Sequence, residues 1–364
     1  MIVKEGNAEI YAEKSEKISK QMEVFYNPVM RLNRSISVLL IKSFFDEKIR
    51  IADILAGSGI RSIRFLKEVG EKIESVDIND NSKKAVDMIK KNLRLNKINI
   101  KKNKIKIHNK EASQFLLEGS GFDYIDIDPF GSPNPFLDAA IKRISRNGIL
   151  AVTATDTAAL AGTYENACKR KYWAKPLRNY LMHEVGIRIL IRKIQLLGAQ
   201  YEKAFIPVLS YSKEHYYRIF LKCEKGKQKC DEIIKEHKFL GYCKNCLGID
   251  TFSAEKCTNC SGKLIIAGPL WTGQLGDSKL VSKMLEFADS ESASLLEILE
   301  QEYKINSVGF YSLSELCKLK KIKNVPKVKD VLEKLKNKKI SASRTHFGGE
   351  YIKVENADFL RELI

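Results

Sequence analysis

Residues 124–136 read YIDIDPFGSPNPF. A short apolar alternation, the mark of a strand, runs into Asp128 and then into Pro129, Phe130 and Gly131. A strand needs no such ending, but a site for a flat, polar ligand does. The Asp128 carboxylate accepts hydrogen bonds. Pro129 supplies no N–H and fixes φ, so its carbonyl is offered as a second acceptor. The Phe130 ring can stack on a planar group, and Gly131 permits close approach of the backbone.

Two further sets carry chemistry. The first is Asp53-Ile-Leu-Ala-Gly57-Ser58-Gly59-Ile60-Arg61. Its two glycines let the backbone turn tightly beside a ligand, but the next glycine of a dinucleotide fingerprint is replaced by Arg61-Ser62, which makes a pyrophosphate ligand less suited. Arg61 can pair a ligand carboxylate. Asp77 closes KIESVD and can accept from ribose hydroxyls, while Glu111-Ala112, after KIKIH, can receive an adenine amino group and present a backbone N–H. The second set is Cys243-x2-Cys246-x10-Cys257-x2-Cys260, whose spacing lets four thiolates surround one structural Zn2+ with no open position. Cys168, Cys223, Cys230 and Cys317 follow no pattern and read as reduced thiols.

These residues need elements to hold them. KIRIADIL, KIESVD, KIKIH, FDYIDID and GILAVTAT read as strands, with helical segments between them. A long helix is expected over roughly 176–197, then a strand pair, AFIPVLSYS and HYYRIFLKC. Such alternation predicts an α/β fold with a parallel sheet covered on both faces, where ligands bind beyond the carboxyl ends of the strands. Asp53, Asp77, Glu111 and Asp128 lie at or just after four such ends. The tail is different. The cysteine cluster is followed by helical DSKLVSKMLEFA and SASLLEILEQEY, a capping box at Ser312 and Glu315, a further helix in VPKVKDVLEKLKNKK and a turn-rich SRTHFGGEYIKV. Helix, helix, hairpin is the order of a winged helix.

The 364 residues suffice for two domains, expected at 1–230 and 231–364, the second a smaller α+β unit with a zinc-ribbon-like site. Hydrophobic residues make up 44% and charged residues 30%, as in a soluble globular protein. No apolar run reaches the roughly 18–20 residues a membrane span needs, and MIVKEGNAEIYAEKSEKISK is no secretory signal. The expectation is a cytoplasmic protein with no membrane association and no obligate protein partner. Net charge is +18: residues 1–230 carry +16, which leaves +2 for the tail. Residues 90–110 hold nine basic side chains and no acidic one. That balance favours attraction to a polyanion, most simply nucleic acid, over a merely solvated lysine-rich surface.

The D-x-L-A-G-S-G turn resembles the first motif of S-adenosylmethionine-dependent methyltransferases. Asp128-Pro129-Phe130 resembles the Asp/Asn-Pro-Pro-Tyr/Phe motif of those that act on exocyclic amino groups of bases. FYNPVMRLNRSISV, DILAGSGIRSIR, IDIDPFGSP, GPLWTG and SRTHFGGEYIKV occur in that order. With them the chain resembles, over nearly its whole length, the archaeal-type tRNA guanine-26 N2-dimethyltransferase family. The resemblance implies a class I, Rossmann-like methyltransferase domain, a C-terminal tRNA-recognition domain and methylation of the guanine amino group at tRNA position 26. It gives Asp128, Pro129 and Phe130 to catalysis, and Arg34, Asp53, Gly57, Gly59, Arg61, Asp77, Glu111 and Ala112 to S-adenosylmethionine. Phe25 would hold the flipped guanine. Family members often have Asp where Glu111 stands, and Arg64 competes with Arg61 as the cofactor arginine. Other amino-group methyltransferases, and a non-catalytic basic zinc-ribbon RNA-binding protein, are the alternatives; the intact Asp77, Asp128 and glycine turn argue against the last.

Overall fold

The computed structural model describes residues 1–12, 26–251, 255–355 and 360. Phe25 lies outside the described residues.

The chain opens with a hairpin that the sequence reading did not anticipate, β1 (Ile2–Glu5) and β2 (Ala8–Tyr11). Helix α1 (Arg31–Phe44) follows, with most of its residues buried. The expected alternation comes next: β3 (Ile49–Asp53), α2 (Ile60–Glu68), β4 (Ile73–Asn79), α3 (Lys83–Leu95), β5 (Ile105–His108), α4 (Ala112–Glu118), β6 (Phe122–Ile127), α5 (Asn134–Arg143) and β7 (Ile144–Ala154). Strand β5 pairs in parallel with β4, β4 with β3, β3 with β6 and β6 with β7. Their apolar runs are the signature of strands buried on both faces.

The remaining elements are α6 (Thr157–Leu160), α7 (Glu165–Tyr172), α8 (Met182–Ala199), β8 (Lys203–Lys213), β9 (Tyr216–Lys225), α9 (Lys227–Lys235), β10 (His237–Cys243), β11 (Ile249–Asp250) and β12 (Leu264–Trp271). After them come α10 (Ser278–Leu285), α11 (Ser290–Glu302), β13 (Tyr311–Ser312), α12 (Leu313–Leu319), α13 (Val328–Asn337), β14 (Ala342–Thr345) and β15 (Gly348–Val354). The sheet orders are β5-β4-β3-β6-β7-β9-β8, β11-β10-β12 and β13-β15-β14. Chain order reverses between β3 and β6, so the loops leaving these two strands diverge and open a crevice at their carboxyl ends.

The long helix starts at Met182, later than expected. Lys175 exchanges backbone bonds with Gly268, Pro176 has no N–H to give, and the Asn179 side chain accepts from Leu181 N at 2.8 Å; these fix the preceding segment as a non-helical lead-in. Strand β4 runs two residues past Asp77. Ser312 caps α12 by accepting from Glu315 N at 3.2 Å, one half of the expected capping box, while the Glu315 carboxylate accepts from Lys318. Strand β13, α12, α13 and the β14–β15 hairpin follow one another as in a winged helix.

Two compact units emerge. One comprises Met1–Thr155, Phe220–Lys225 and Lys283–Ala293; the other comprises Asp156–Ile219, Gly226–Ser282 and Ser294–Ile364. The division expected after residue 230 falls inside α9.

Each unit has a buried ionic knot. In the first, Glu5 is 1% exposed and accepts from Arg34 Nε at 2.7 Å and Arg64 Nη1 at 3.2 Å, with Tyr26 Oη donating at 3.1 Å. Burial pushes the Glu5 carboxyl up, but the Arg34 and Arg64 guanidiniums outweigh it and hold the group below the ordinary range. The knot fastens β1 to α1 and α2. Strand β2 is fastened to α3 by asparagines: Glu9 N donates to Asn96 Oδ1 and Tyr11 N to Asn92 Oδ1, both at 2.9 Å. In the second unit, Glu184 accepts from Arg188 Nε at 2.8 Å and Gly309 N at 2.8 Å, and lies 3.4 Å from Lys353 Nζ. Burial raises its pKa, yet Lys353 and Arg188 prevail and lower it to about 2.

Glu5→Ala leaves two buried guanidiniums short of a partner. Denaturant unfolding should show a loss of about 3–5 kcal/mol. For Glu184 the folded pKa lies below the unfolded one, so its contribution is complete above the ordinary value of 4.5 and is lost as pH falls towards about 2. Urea titrations across that window should show a shallower acid-side slope for Glu184→Gln; an unchanged slope contradicts the assignment.

Candidate active site

Asp53 is the last residue of β3, and Asp126 stands opposite it in β6. Both are buried. Asp128 lies just past the end of β6, with its side chain 21% exposed. One cation serves all three. Arg61, in the first turn of α2, donates through Nη2 to Asp128 Oδ2, and its Nε lies 3.5 Å from Asp126 Oδ1. Its Nη1 donates to Asn33 Oδ1 and Ser37 Oγ, each at 3.0 Å. Asn33 in turn donates to Thr153 Oγ1 at 3.3 Å, near the end of β7. Asp53 accepts from Ser62 Oγ at 2.7 Å, and Tyr124 Oη donates to Asp126 Oδ2 at 2.7 Å. Burial is the main reason that the Asp53 carboxyl is pushed up to about 7. Arg61 pulls the other way, while Asp126 and Asp128 add to the rise.

The glycine turn is held from the neighbouring strand. Ala56 N donates to Asn79 O at 3.0 Å and Gly57 N to Asp80 Oδ2 at 2.8 Å. Asn79 Nδ2 bonds both Ile54 O and Lys110 O at 3.1 Å, and Lys110 N returns a bond to Asn79 Oδ1 at 3.1 Å. One asparagine therefore ties together the loops that leave β3, β4 and β5. Gly59 begins α2 in the left-handed region, φ 77°, and a Cβ there would meet Ile89 Cγ1 at 3.1 Å. Conformation and space both require glycine at this position.

Asp77, within β4, shares a hydrogen bond of 2.8 Å between Oδ1 and His108 Nε2. Glu111 caps α4 by accepting from Gln114 N at 2.9 Å. Burial raises its pKa, but the N–H groups of the first turn of α4, with the Ser113 hydroxyl, together outweigh that and lower it. Ala112 is buried at the start of that helix. Arg34 gives Nε and Nη2 to Glu5, and Nη2 also to Asn27 O; among the described residues Nη1 has no acceptor. Arg64 is held by Glu5, Glu68 and Ser35.

The Asp-Pro-Phe-Gly segment is pinned at its far end. Gly131, at φ 90°, donates to Thr155 Oγ1 at 2.6 Å, and Thr155 N donates to Gly131 O at 3.0 Å. Pro129 is buried and Phe130 is 44% exposed. Sequence reasoning missed Asn33, Ser37, Asn79, Asp80, Asp126, Thr153 and Thr155. Only the polar pair that follows VDI offered a local signal.

In the second unit, Cys243 Sγ lies 3.5 Å from Cys260 Sγ, and Cys246 Sγ 3.4 Å from Cys257 Sγ. All four sulfurs lie within 4.8 Å of one another. A disulfide is about 2.05 Å long, whereas four sulfurs about 2.3 Å from one ion stand about 3.8 Å apart. Each Cys-x-x-Cys is closed alike. A left-handed residue, Leu247 or Ser261, precedes a glycine whose carbonyl accepts from the first cysteine's N–H at 2.9 Å in one turn and 2.8 Å in the other. The thiols are placed to hold a tetrahedral ion.

A family model described as N2,N2-dimethylguanosine tRNA methyltransferase matches residues 6–361. The chain is 41% identical to the tRNA (guanine(26)-N(2)/guanine(27)-N(2))-dimethyltransferase of Aquifex aeolicus, over 96% of this chain and 91% of that protein. It is also 41% identical to the tRNA (guanine(26)-N(2))-dimethyltransferase of Methanobrevibacter smithii, over 95% and 92%. The solved structure of Trm1 from Pyrococcus horikoshii in complex with S-adenosyl-L-methionine superposes with a TM-score of 0.88 at 34% identity, covering 100% of this chain and 99% of that one. The chain belongs to the N2,N2-dimethylguanosine tRNA methyltransferase family.

Proposed function

We propose that this chain transfers methyl groups from S-adenosylmethionine to the exocyclic N2 of guanine 26 of tRNA, giving N2,N2-dimethylguanosine. The observation that carries the reading is Asp128, a partly exposed carboxylate at the strand-order reversal, oriented by Arg61 and followed by Pro129 and an exposed Phe130.

When bound, S-adenosylmethionine supplies a methyl group activated by a sulfonium. Three carboxylates around one guanidinium leave the crevice rich in negative charge, which fits a ligand carrying a sulfonium and an ammonium. Arg34 Nη1 and Arg61 are the donors for its carboxylate, Asp77 the acceptor for ribose, and Glu111 with the Ala112 N–H the partners for adenine. Gly57 and Gly59 keep the turn low enough for approach.

The guanine amino nitrogen is a poor nucleophile because its lone pair is delocalised into the ring. Asp128 Oδ and the Pro129 carbonyl, accepting from its two hydrogens, favour a more tetrahedral nitrogen and free that pair. Asp128 also faces the positive charge that grows on nitrogen and is placed to take its proton. Phe130 offers its exposed face to the flipped base, and Phe25 is proposed to cover the other side.

The four-cysteine cluster is assigned to a structural zinc, since a closed set of thiols leaves no position for substrate. The large positive charge suits a tRNA partner. Among the described residues no helix is long and apolar enough to cross a membrane. A cytoplasmic location fits a tRNA substrate.

Nucleoside mass spectrometry of an unmodified tRNA transcript incubated with the protein and S-adenosylmethionine should yield N2,N2-dimethylguanosine at position 26. Position 27 should be read in the same digest. A G26→A transcript that is methylated equally well contradicts the reading. Asp128→Asn should slow single-turnover methylation about a hundredfold or more while cofactor affinity is kept; an unchanged rate removes the role given to Asp128.

A cation bound beside Asp53 favours its ionised form. Cofactor binding near pH 7 should therefore release protons, seen as a dependence of calorimetric heat on buffer ionisation enthalpy. Asp53→Asn should abolish that dependence; a wild-type heat independent of buffer counts against it.

Elemental analysis should find one zinc per chain. Cys243→Ser should lower both zinc content and melting temperature; zinc-free native protein contradicts the assignment.

A further inference from the structure

Trp173 is one of two tryptophans, and it is 50% exposed. It closes α7 with φ 56°, in the left-handed region that a bulky side chain rarely adopts. Three contacts hold it there. Its N–H donates to Lys169 O at 3.1 Å, and Arg192 Nη1 reaches its carbonyl at 3.4 Å. Lys193 Nζ, on α8, lies 2.8 Å from the ring centroid, so a cation covers one face of the indole. Half of the residue's surface stays open to solvent, on a backbone held at both its N–H and its carbonyl.

The surroundings are cationic. Residues 157–178 carry five basic side chains, Lys169, Arg170, Lys171, Lys175 and Arg178, against a single carboxylate, Glu165. All five are exposed. Glu165 engages Lys169 at 2.6 Å, and Asp156 engages Lys171 at 3.4 Å. Tyr164, 63% exposed, stands at the other end of the same helix. An exposed aromatic braced from beneath and rimmed by lysine and arginine combines a stacking platform with phosphate contacts, the two features that bind unpaired nucleotides. An acidic protein partner would use the charge but gives no reason to hold an indole flat and strained.

We propose that Trp173 and the basic face of α7 form a second RNA contact, outside the reacting site, on which an unpaired base of the tRNA stacks while Arg170 and Lys175 engage its phosphates. This rests on tRNA being the substrate.

The experiment uses the full-length protein and an unmodified tRNA transcript. Because Trp271 is 8% exposed, the emission that responds to a bound base is that of Trp173. Wild-type protein should be quenched on binding tRNA, and Trp173→Phe, which retains Trp271, should not. Trp173→Ala should weaken tRNA binding about tenfold or more, and Trp173→Phe, which keeps a stacking ring, much less. S-adenosylmethionine affinity and melting temperature should stay at wild-type values in both. Arg170→Ala should lower the slope of log affinity against log salt by about 0.7–0.9, one phosphate's share. If transcripts are methylated normally but tRNA neither quenches Trp173 nor binds the alanine variant more weakly, the contact is refuted and the enzyme reading stands. If no tRNA is methylated while the stacking response persists, the surface stands and the substrate reading fails. Equal quenching by polyphosphate, which has no bases, refutes stacking.

Discussion

Arg61 lies at the meeting point of Asp53, Asp126 and Asp128, and the arrangement of the crevice follows from it. Two of those carboxylates sit on adjacent parallel strands at the same level, so their mutual repulsion cannot be relieved by turning away. A guanidinium, with five donors in a planar fork, can serve several acceptors at once where an ammonium cannot. Arg61 uses that capacity to join α2 to the tip of β6 and, through Asn33, to α1 and β7. The position of the Asp128 carboxylate is thus set by four elements rather than by its own loop.

The same loop is fixed again from behind. Thr155 exchanges two hydrogen bonds with Gly131, and Asn79 links the three strand-end loops on the other side of the reversal. Residues that must hold a base and a cofactor at bonding distance gain more from such rigid support than from further direct contacts. Phe130, next to this loop's anchor, is 44% exposed.

Much of this was legible in the sequence because its signals are local. Asp128-Pro129-Phe130-Gly131, the glycine turn and the paired Cys-x-x-Cys units each carry their meaning within a few residues, and the alternation of strands and helices points to a parallel sheet, though not to its strand order. The supporting shell was not legible. Asn33 and Thr153 are 120 positions apart, and Arg61 and Asn33 28 apart, so no window of sequence contains both partners. The hairpin at the start was missed for a similar reason. Its strands are four residues long, and its register is secured by asparagines on α3 and by a glutamate buried against two arginines. The late start of α8 depended on a side-chain turn at Asn179, ahead of the helix, and a backbone bridge to Gly268.

The first unit takes its last stretch, Lys283–Ala293, from far down the chain. There Phe287 packs under Lys42 Nζ at 4.0 Å, and Glu291 reaches Arg31. Order of synthesis is therefore not order of completion. A chain emerging from the ribosome has made every strand-end carboxylate of its first unit long before it has made the segment that completes that unit. Most of the second unit must be translated in between. Folding amino-terminal part first, the usual course for multidomain chains, leaves this one unfinished until nearly four-fifths of it exists. Neither unit can be separated from the other by one cut in the gene.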